Sequence, residues 1–389
     1  MTAHLPVPTP GRFICAHIVQ SIPYANLNRD DTNSVKTVQY GDRERTRVSS
    51  QCWKRAVRNY FQRAIGEQAL RTRRIGEAVE KHLREERQWP ADLARRAGQH
   101  ITAGSSITAD PPSDDAPAWT TNAAVYVPTT AVTELADIAE AHRVQLEAAK
   151  DMKKGVKSVL PAAGIEGVLR SRNGVINLFG RMLAEVDKAG VDGAVQVAHA
   201  LTTHGTDVEL DYFAAVDDIT DAWKDTTGSA HMGSSEFSAG VFYRYATIDL
   251  ADLLRNIGPD LTTARQLTTA FLEAFVLSLP EAKKTATAPH TIPDLVHLTV
   301  RQDRPVSYAA AFEQPVTADR TGGFSAPSRA ALDHYAQAAG RLLGGRGLVT
   351  AGWAGLETTD LAGLGRRSDS FDELITASVA AALGEEAAA

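Results

Sequence analysis

Apolar and polar residues alternate with a two-residue period in three stretches of this chain and follow a helical period in several others, a mixture that predicts an α+β fold. From Phe13 to Ile22, the residues Ile14, Ala16 and Ile18 share one face of a strand, with Cys15, His17 and Val19 on the other. Residues 207–217 place Val208, Leu210, Tyr212, Ala214 and Val216 on one face and Glu209, Asp211, Phe213, Ala215 and Asp217 on the other. Phe237, Ala239, Val241, Tyr243 and Tyr245 repeat the period, so the two runs predict a long hairpin carrying Phe213 on its otherwise polar face. A helix is expected from Ser49 or Ser50, where a hydroxyl caps the first turn and Trp53, Val57 and Tyr60 or Phe61 form the apolar stripe. Helical spacing continues through the charged stretch Arg71 to Arg96 and resumes from Val132 to about Val159, closing at Pro161. Beyond Leu253 the pattern predicts two helices, a strand from Asp294 to Val300, a Gly- and Ala-rich tail and a last helix near Phe371 to Leu383. The runs LNRDDTN (27–33) and the Ser-, Asp- and Pro-rich 101–122 are loops.

With 389 residues, 43% hydrophobic and 23% charged, the composition suits a soluble protein of two or three substructures. No apolar run approaches the roughly 18 residues of a membrane span, and MTAHLPVPTPGRF lacks the pattern of an export signal, so a cytoplasmic protein with no membrane partner is expected. Cys15 and Cys52 have no ligand spacing, which fits a reducing compartment and argues against a disulfide framework or zinc site.

Charge changes the picture more. Arg43–Arg74 holds ten basic residues against Glu44 and Glu67, a local +8 in a chain of net −6. Such an island is a local anion site. Within it Lys54 and Arg58 lie four apart on one helix face, and Ser49, Ser50 and Gln51 stand at the helix mouth, where neutral donors and a dipole suit phosphate oxygens. The competing reading is a solvated amphipathic helix. Lys150, Lys154 and Lys157, at i, i+4 and i+7 on the expected second helix, form either a polyanion contact or a solvated lysine face. The hairpin's first half is acidic, with Asp207, Glu209, Asp211, Asp217, Asp218, Asp221 and Asp225 against Lys224. An acidic arm and a basic island on one chain suit a head-to-tail contact between copies, which builds an open helical filament.

Catalytic signatures are absent: no GxSxG, HExxH, P-loop or GxGxxG pattern occurs. His199 and His204 are five apart, a poor same-face spacing without carboxylate or Cys companions. Met182 would by default fill a core gap. Asp30 and Asp31 either shape their loop or hold a divalent metal for phosphodiester cleavage.

At LNRDDTN, RVSSQCWKRAVR, LFGRM, VDGAVQVAHALTTH and GSAHMGSSEFSAGVFYRYATI the chain resembles the CasC family, the backbone subunit of the type I-E CRISPR Cascade surveillance complex. The resemblance spans nearly the whole chain, with the motifs in the family's order. It implies an RRM-like, ferredoxin-type palm over 1–65 and 165–389, a helical fingers insertion over 66–164 and a β-hairpin thumb at about 202–248. It further implies a non-catalytic, RNA-binding subunit of antiviral defence that needs no cofactor. Its partners would be CRISPR RNA, target DNA, other copies of itself in a head-to-tail filament and other Cascade subunits. By the same resemblance Arg29, Ser49, Gln51, Lys54 and Arg58 contact the RNA backbone, and Met182 and Phe213 wedge where a base is flipped out. Lys150, Lys154 and Lys157 then touch DNA without sequence preference. The alternative carried by related folds is a metal-dependent ribonuclease using Asp30 and Asp31.

Overall fold

The computed structural model describes residues 11–114, 116–216, 229–357 and 359–384, so Asp217, Asp218, Asp221, Lys224 and Asp225 of the acidic run lie outside the described residues. The chain divides into two compact units, Met1–Phe61 with Val195–Leu254 and Pro259–Ala389, and Gln62–Ala194 with Arg255–Gly258. Residues 165–194, expected with the first unit, fall in the second because Ile165, Leu169, Leu183, Val186 and Ala189 are buried in its core.

The first unit is built on a sheet of ten strands among the described residues. Its centre is Phe13–Ala25, antiparallel to Ser229–Asp249 on one side and to Leu295–Arg301 on the other. Phe13 lies opposite both Asp249 and Arg301, and His17 opposite Tyr245 and His297. Leu348–Gly355 pairs beyond Leu295–Arg301, and Arg366–Arg367 adds a short parallel edge at Gly352 and Trp353. On the other flank of Ser229–Asp249 come Val195–Val197 and Ala200–Thr202, then Arg43–Val48 and Thr37–Tyr40. The first half of Ser229–Asp249 pairs with Glu209–Val216, Phe213 opposite Gly233, so the hairpin's second strand is the stretch read as loop, while the run Phe237–Tyr245 expected to pair with 207–217 lies mainly against Phe13–Ala25.

Alternation in Phe13–Ile22 predicts one buried and one solvated face, yet every residue from Phe13 to Gln20 is buried. The reason is a second covering layer: the helix Ser325–Leu343 packs Leu332 and Ala336 against Val19, Tyr243, Leu295 and Trp353. Neither that helix nor the strand Leu348–Gly355 stands out from the tail's composition, where Gly340, Gly344, Gly345 and Gly347 and a run of alanines dilute both periods.

In the second unit Ala69–Thr72 pairs with Val125–Pro128, and the helices Ile75–Glu85, Ala91–Thr102, Ala131–Ala141 and Ala162–Leu169 bury Val79, Leu83, Leu93, Ala97, Ile101, Leu135, Ile165 and Leu169 together. Arg71 therefore sits on a strand and not in a helix. The helical run breaks again where Gln88 takes a positive φ of 54° ahead of Pro90. The helix expected to reach Val159 ends at Ala148. Beyond it Gly155 adopts φ 83°, and the segment is tied to Ala91–Thr102 by Met152 N donating to Gln99 Oε1 (2.9 Å) and Val159 N donating to His100 Nδ1 (3.2 Å). Lys150, Lys154 and Lys157 are thus carried by an irregular segment with a turn at Lys154–Gly155 and share no helical stripe.

Candidate nucleic-acid interface

The helix Ser50–Ile65 begins where the sequence places it, with Ser49 as its cap: Cys52 N donates to Ser49 Oγ (3.2 Å). Trp53, Ala56, Val57 and Phe61 are its buried face, and Trp53 packs with Leu27, Val48 and Phe242. Burying an indole this completely is worth about 3 kcal/mol, enough to hold the opposite face of the helix outward. The fully buried Arg244 guanidinium lies 3.9 Å above the Trp53 ring and donates to Gln20 Oε1 and to the Phe275 carbonyl. Burial pulls its pKa down to about 9, so it stays cationic at neutral pH.

Around the helix mouth the structure gathers the loop 27–36. Ser49 N donates to Asn28 Oδ1 (2.8 Å), Lys36 N to the Asn28 carbonyl, and Arg47 N to the Lys36 carbonyl. This brings exposed Arg29, half-buried Lys36, Arg47, Lys54 and Arg58, and exposed Gln51 and Arg55 to one region of the first unit. Partial burial lowers the Lys54 pKa. The mouth itself differs from expectation. Ser49 is buried, and three amides at the helix start already have acceptors, because His199 Nδ1 accepts from Ser50 N (3.0 Å) and from Arg47 Nη1 (3.4 Å). Burial and Arg47 lower the His199 pKa, which keeps that nitrogen an acceptor. An anion at the helix mouth must take over the His199 contact to reach the Ser50 amide.

Not all of the +8 island faces solvent. Arg45 is fully buried and donates to the carbonyls of Tyr40, Thr202 and Phe312. Asp30, offered as a metal ligand, turns its carboxylate inward on its own loop: Oδ1 accepts from Thr32 N (2.9 Å), Thr32 Oγ1 (2.8 Å) and Ser34 N (2.9 Å), and the Thr32 hydroxyl chiefly holds its pKa down. Among the described residues no group of three or more His, Cys, Asp or Glu is arranged to hold a metal ion.

Phe213 is 46% exposed on the hairpin, its ring lying over Gly233, where an added Cβ would stand 2.5 Å from Phe213 Cζ. Glu209 and Asp211, at odd positions with Phe213, are exposed as alternation predicts, but Leu210 and Tyr212 on the other face are exposed as well, at 50% and 75%, so over 209–213 neither face is buried.

In the second unit Met182 is 94% exposed, against the default reading of a core filler. The residue before it explains how an apolar side chain is held out. Arg181 is buried and donates to the carbonyls of Ala189, Tyr126, Ser171 and Arg170, while its backbone exchanges two 2.8 Å hydrogen bonds with Val191. Burial, reinforced by Arg172, lowers its pKa to about 10. Gly180 enters the turn at φ 81°, and a Cβ there would stand 2.7 Å from Gly193 N. Lys150, Lys154 and Lys157 are exposed on their irregular segment.

Sequence reasoning gave no role to Asn28, Lys36, Arg181 or Gly233, and weighed His199 only as a metal ligand. Lys36 and Arg47 become neighbours only through the pairing of Thr37 with Thr46, a contact no local pattern announces.

The first unit is an α+β structure whose mainly antiparallel sheet is flanked by the basic helix mouth and carries the hairpin with half-exposed Phe213, and in the second unit Met182 faces solvent. The chain belongs to the CT1975-like protein family, whose model matches residues 14–377. It is similar to a chain of a solved "CRISPR RNA-guided surveillance complex, pre-nicking", with 46% identity and a TM-score of 0.88 over 95% of this chain and 100% of that one. A chain of a "CRISPR RNA-guided surveillance complex" matches at 42% identity and a TM-score of 0.78, again over 95% and 100%. No curated protein matches. These matches bear out the resemblance to the CasC family drawn from its motifs. No helix among the described residues is long and apolar enough to cross a membrane.

Proposed function

We propose that this chain is a non-catalytic backbone subunit of a type I-E CRISPR Cascade complex. Copies of it line up along CRISPR RNA and hold the spacer for pairing with target DNA. The observation that carries this reading is the end-to-end match, at 46% identity, to a chain of an RNA-guided surveillance complex. The palm, fingers and thumb of the family supply the architecture. Strands in the spatial order 295–301, 13–25, 229–249 and 195–202, with the helices Ser50–Ile65 and Leu261–Leu277 between them in sequence, support a ferredoxin-type β-α-β-β-α-β palm. The 209–249 hairpin fits the thumb and the second unit the fingers.

The chemistry suits a strand of any sequence. Arg29, Lys54 and Arg58 with Gln51 offer cations and neutral donors to phosphate, and such contacts position a strand without reading it. Met182 and Phe213 offer apolar surface that separates stacked bases at a cost of a few kcal/mol per step, which sets a repeating register. Lys150, Lys154 and Lys157 serve the DNA strand as mobile point charges.

The protein purified from its host should carry RNA of one length, seen as a single band after extraction; protein free of RNA under low salt contradicts the assignment. Lys54→Ala and Arg58→Ala should each weaken binding to all RNA sequences alike and reduce the salt slope by about one unit or less. Filter binding of several unrelated RNAs measures this, and a loss confined to one sequence argues against backbone recognition.

A further inference from the structure

The sheet of the first unit is irregular at one point beside the helix mouth. Val195–Val197 and Ala200–Thr202 both pair with Ser229–Asp249, Val197 opposite Ala246 and Leu201 opposite Tyr243. Leu201 is four residues on from Val197, whereas Tyr243 is only three back from Ala246, so one residue is extra. This is a β-bulge, held by Ala198 N donating to the Tyr245 carbonyl (2.9 Å), and bulges re-aim the side chains they carry. On its other edge the same stretch pairs with Arg43–Val48, Val48 opposite Ala200. His199 therefore stands level with Ser49, where that strand passes into the helix Ser50–Ile65.

The hydrogen bonds of that ring fix where its proton sits. His199 Nδ1 accepts from Ser50 N (3.0 Å) and lies 3.4 Å from Arg47 Nη1. A nitrogen that accepts from an amide carries no hydrogen, so the neutral ring bears its proton on Nε2. Burial, followed by the charge of Arg47, keeps the pKa below 6.5, and the neutral form prevails at neutral pH. His199 is exposed, so the ring offers a donor on its side away from Ser50, with the half-buried Arg47 guanidinium beside it. The amide that Nδ1 accepts from also polarises the ring and strengthens the Nε2–H as a donor. The first amides of the helix thus act on a ligand through the imidazole, without giving up their own acceptors.

We propose that His199 is a further phosphate-contact residue, its Nδ1 fixed by the Ser50 amide and its Nε2–H donating to an RNA phosphate oxygen beside Arg47. The contact, which rests on the RNA-binding reading above, adds a neutral donor of set direction to the cations of the helix mouth. Like them it positions a strand without reading its sequence. The opposite arrangement, in which a phosphate displaces the ring from Ser50, makes His199 a plug, and its removal then tightens binding.

The test separates the two ring nitrogens. The affinities of His199→Gln, His199→Asn and His199→Ala for two short labelled RNAs of unrelated sequence are measured by fluorescence anisotropy over a salt series at neutral pH. Gln carries an amide nitrogen near the place of Nε2; Asn carries an oxygen near that of Nδ1 and reaches no further. His199→Ala and His199→Asn should each weaken binding to both RNAs by about three- to tenfold, and His199→Gln by less than about twofold. The salt slope should keep its wild-type value in all three, since no cation is lost, whereas Arg47→Ala should lower it by about one unit or less. Wild-type affinity in His199→Asn, with His199→Gln as weak as His199→Ala, leaves only the contact to Ser50 and overturns the proposal. Tighter binding by His199→Ala overturns it in favour of the plug, and equal losses in all three variants with lowered melting temperatures overturn it in favour of a purely structural ring. Unchanged affinity in His199→Ala beside a loss in Lys54→Ala overturns this contact alone, while wild-type protein that binds neither RNA sinks the RNA-binding reading itself.

Discussion

Single side chains in this protein divide into those that face solvent and those that hold them there. Met182 and Arg181 are neighbours in sequence and opposites in environment, one 94% exposed and the other 4%. Met182→Ala should leave stability within about 0.5 kcal/mol of wild type while blurring the periodic protection of bound RNA. Arg181→Met leaves the carbonyls of Ala189, Tyr126, Ser171 and Arg170 without their donor and should cost about 3 kcal/mol or more. Urea unfolding of both variants separates the two roles, and equal losses would contradict them. The motif LFGRM identifies the stretch but not this division, because burial of an arginine among carbonyls depends on chain segments from Tyr126 to Ala189 that meet only in the fold.

At the level of elements, legibility follows the length and purity of the period. The basic helix was readable from its cap and its Trp53–Val57–Phe61 stripe, and the hairpin's first strand from its alternation, whereas its second strand fills a stretch whose glycine and serines read as loop. The segment 149–160 was not readable, because its lysines keep helical spacing while Gly155 and the hydrogen bonds to Gln99 and His100 impose another path. The cation cluster at the helix mouth was half legible: Lys54 and Arg58 come from one element, whereas Lys36 and His199 arrive from others. On the hairpin, Gly233→Ala adds a Cβ 2.5 Å from Phe213 Cζ and should lift the ring off its seat. The expected outcome is unchanged affinity for short RNA with lost regularity of nucleotide protection, matching Phe213→Ala; wild-type protection in both variants would remove Phe213 from the site.

For the whole molecule, the sheet's centre carries a pH dependence. His17 and His297 stand opposite each other on adjacent central strands, ring centroids 5.2 Å apart, both fully buried. Cys15, Tyr243, Tyr245 and Tyr308 surround His17 and bring no carboxylate. Burial lowers the His297 pKa from 6.5 to about 4, and burial followed by the charge of His297 lowers that of His17. The unfolded chain therefore binds these protons first: the stability is fully present above about pH 6.5 and drains away as pH falls towards 4. From His297 alone the loss should be about 2 kcal/mol at pH 5, read from urea midpoints at pH 7 and 5, and His297→Gln should flatten that difference. The same central strand has a consequence for biosynthesis. Phe13 is among the first residues of the sheet to leave the ribosome, yet its partners are Asp249 and Arg301. At about 5–20 residues per second, the strand waits roughly ten seconds to a minute for them, its largely apolar middle unpaired. Production of this subunit therefore depends on protection of the nascent chain during that interval, and slowing translation between codons 25 and 229 lengthens the exposure.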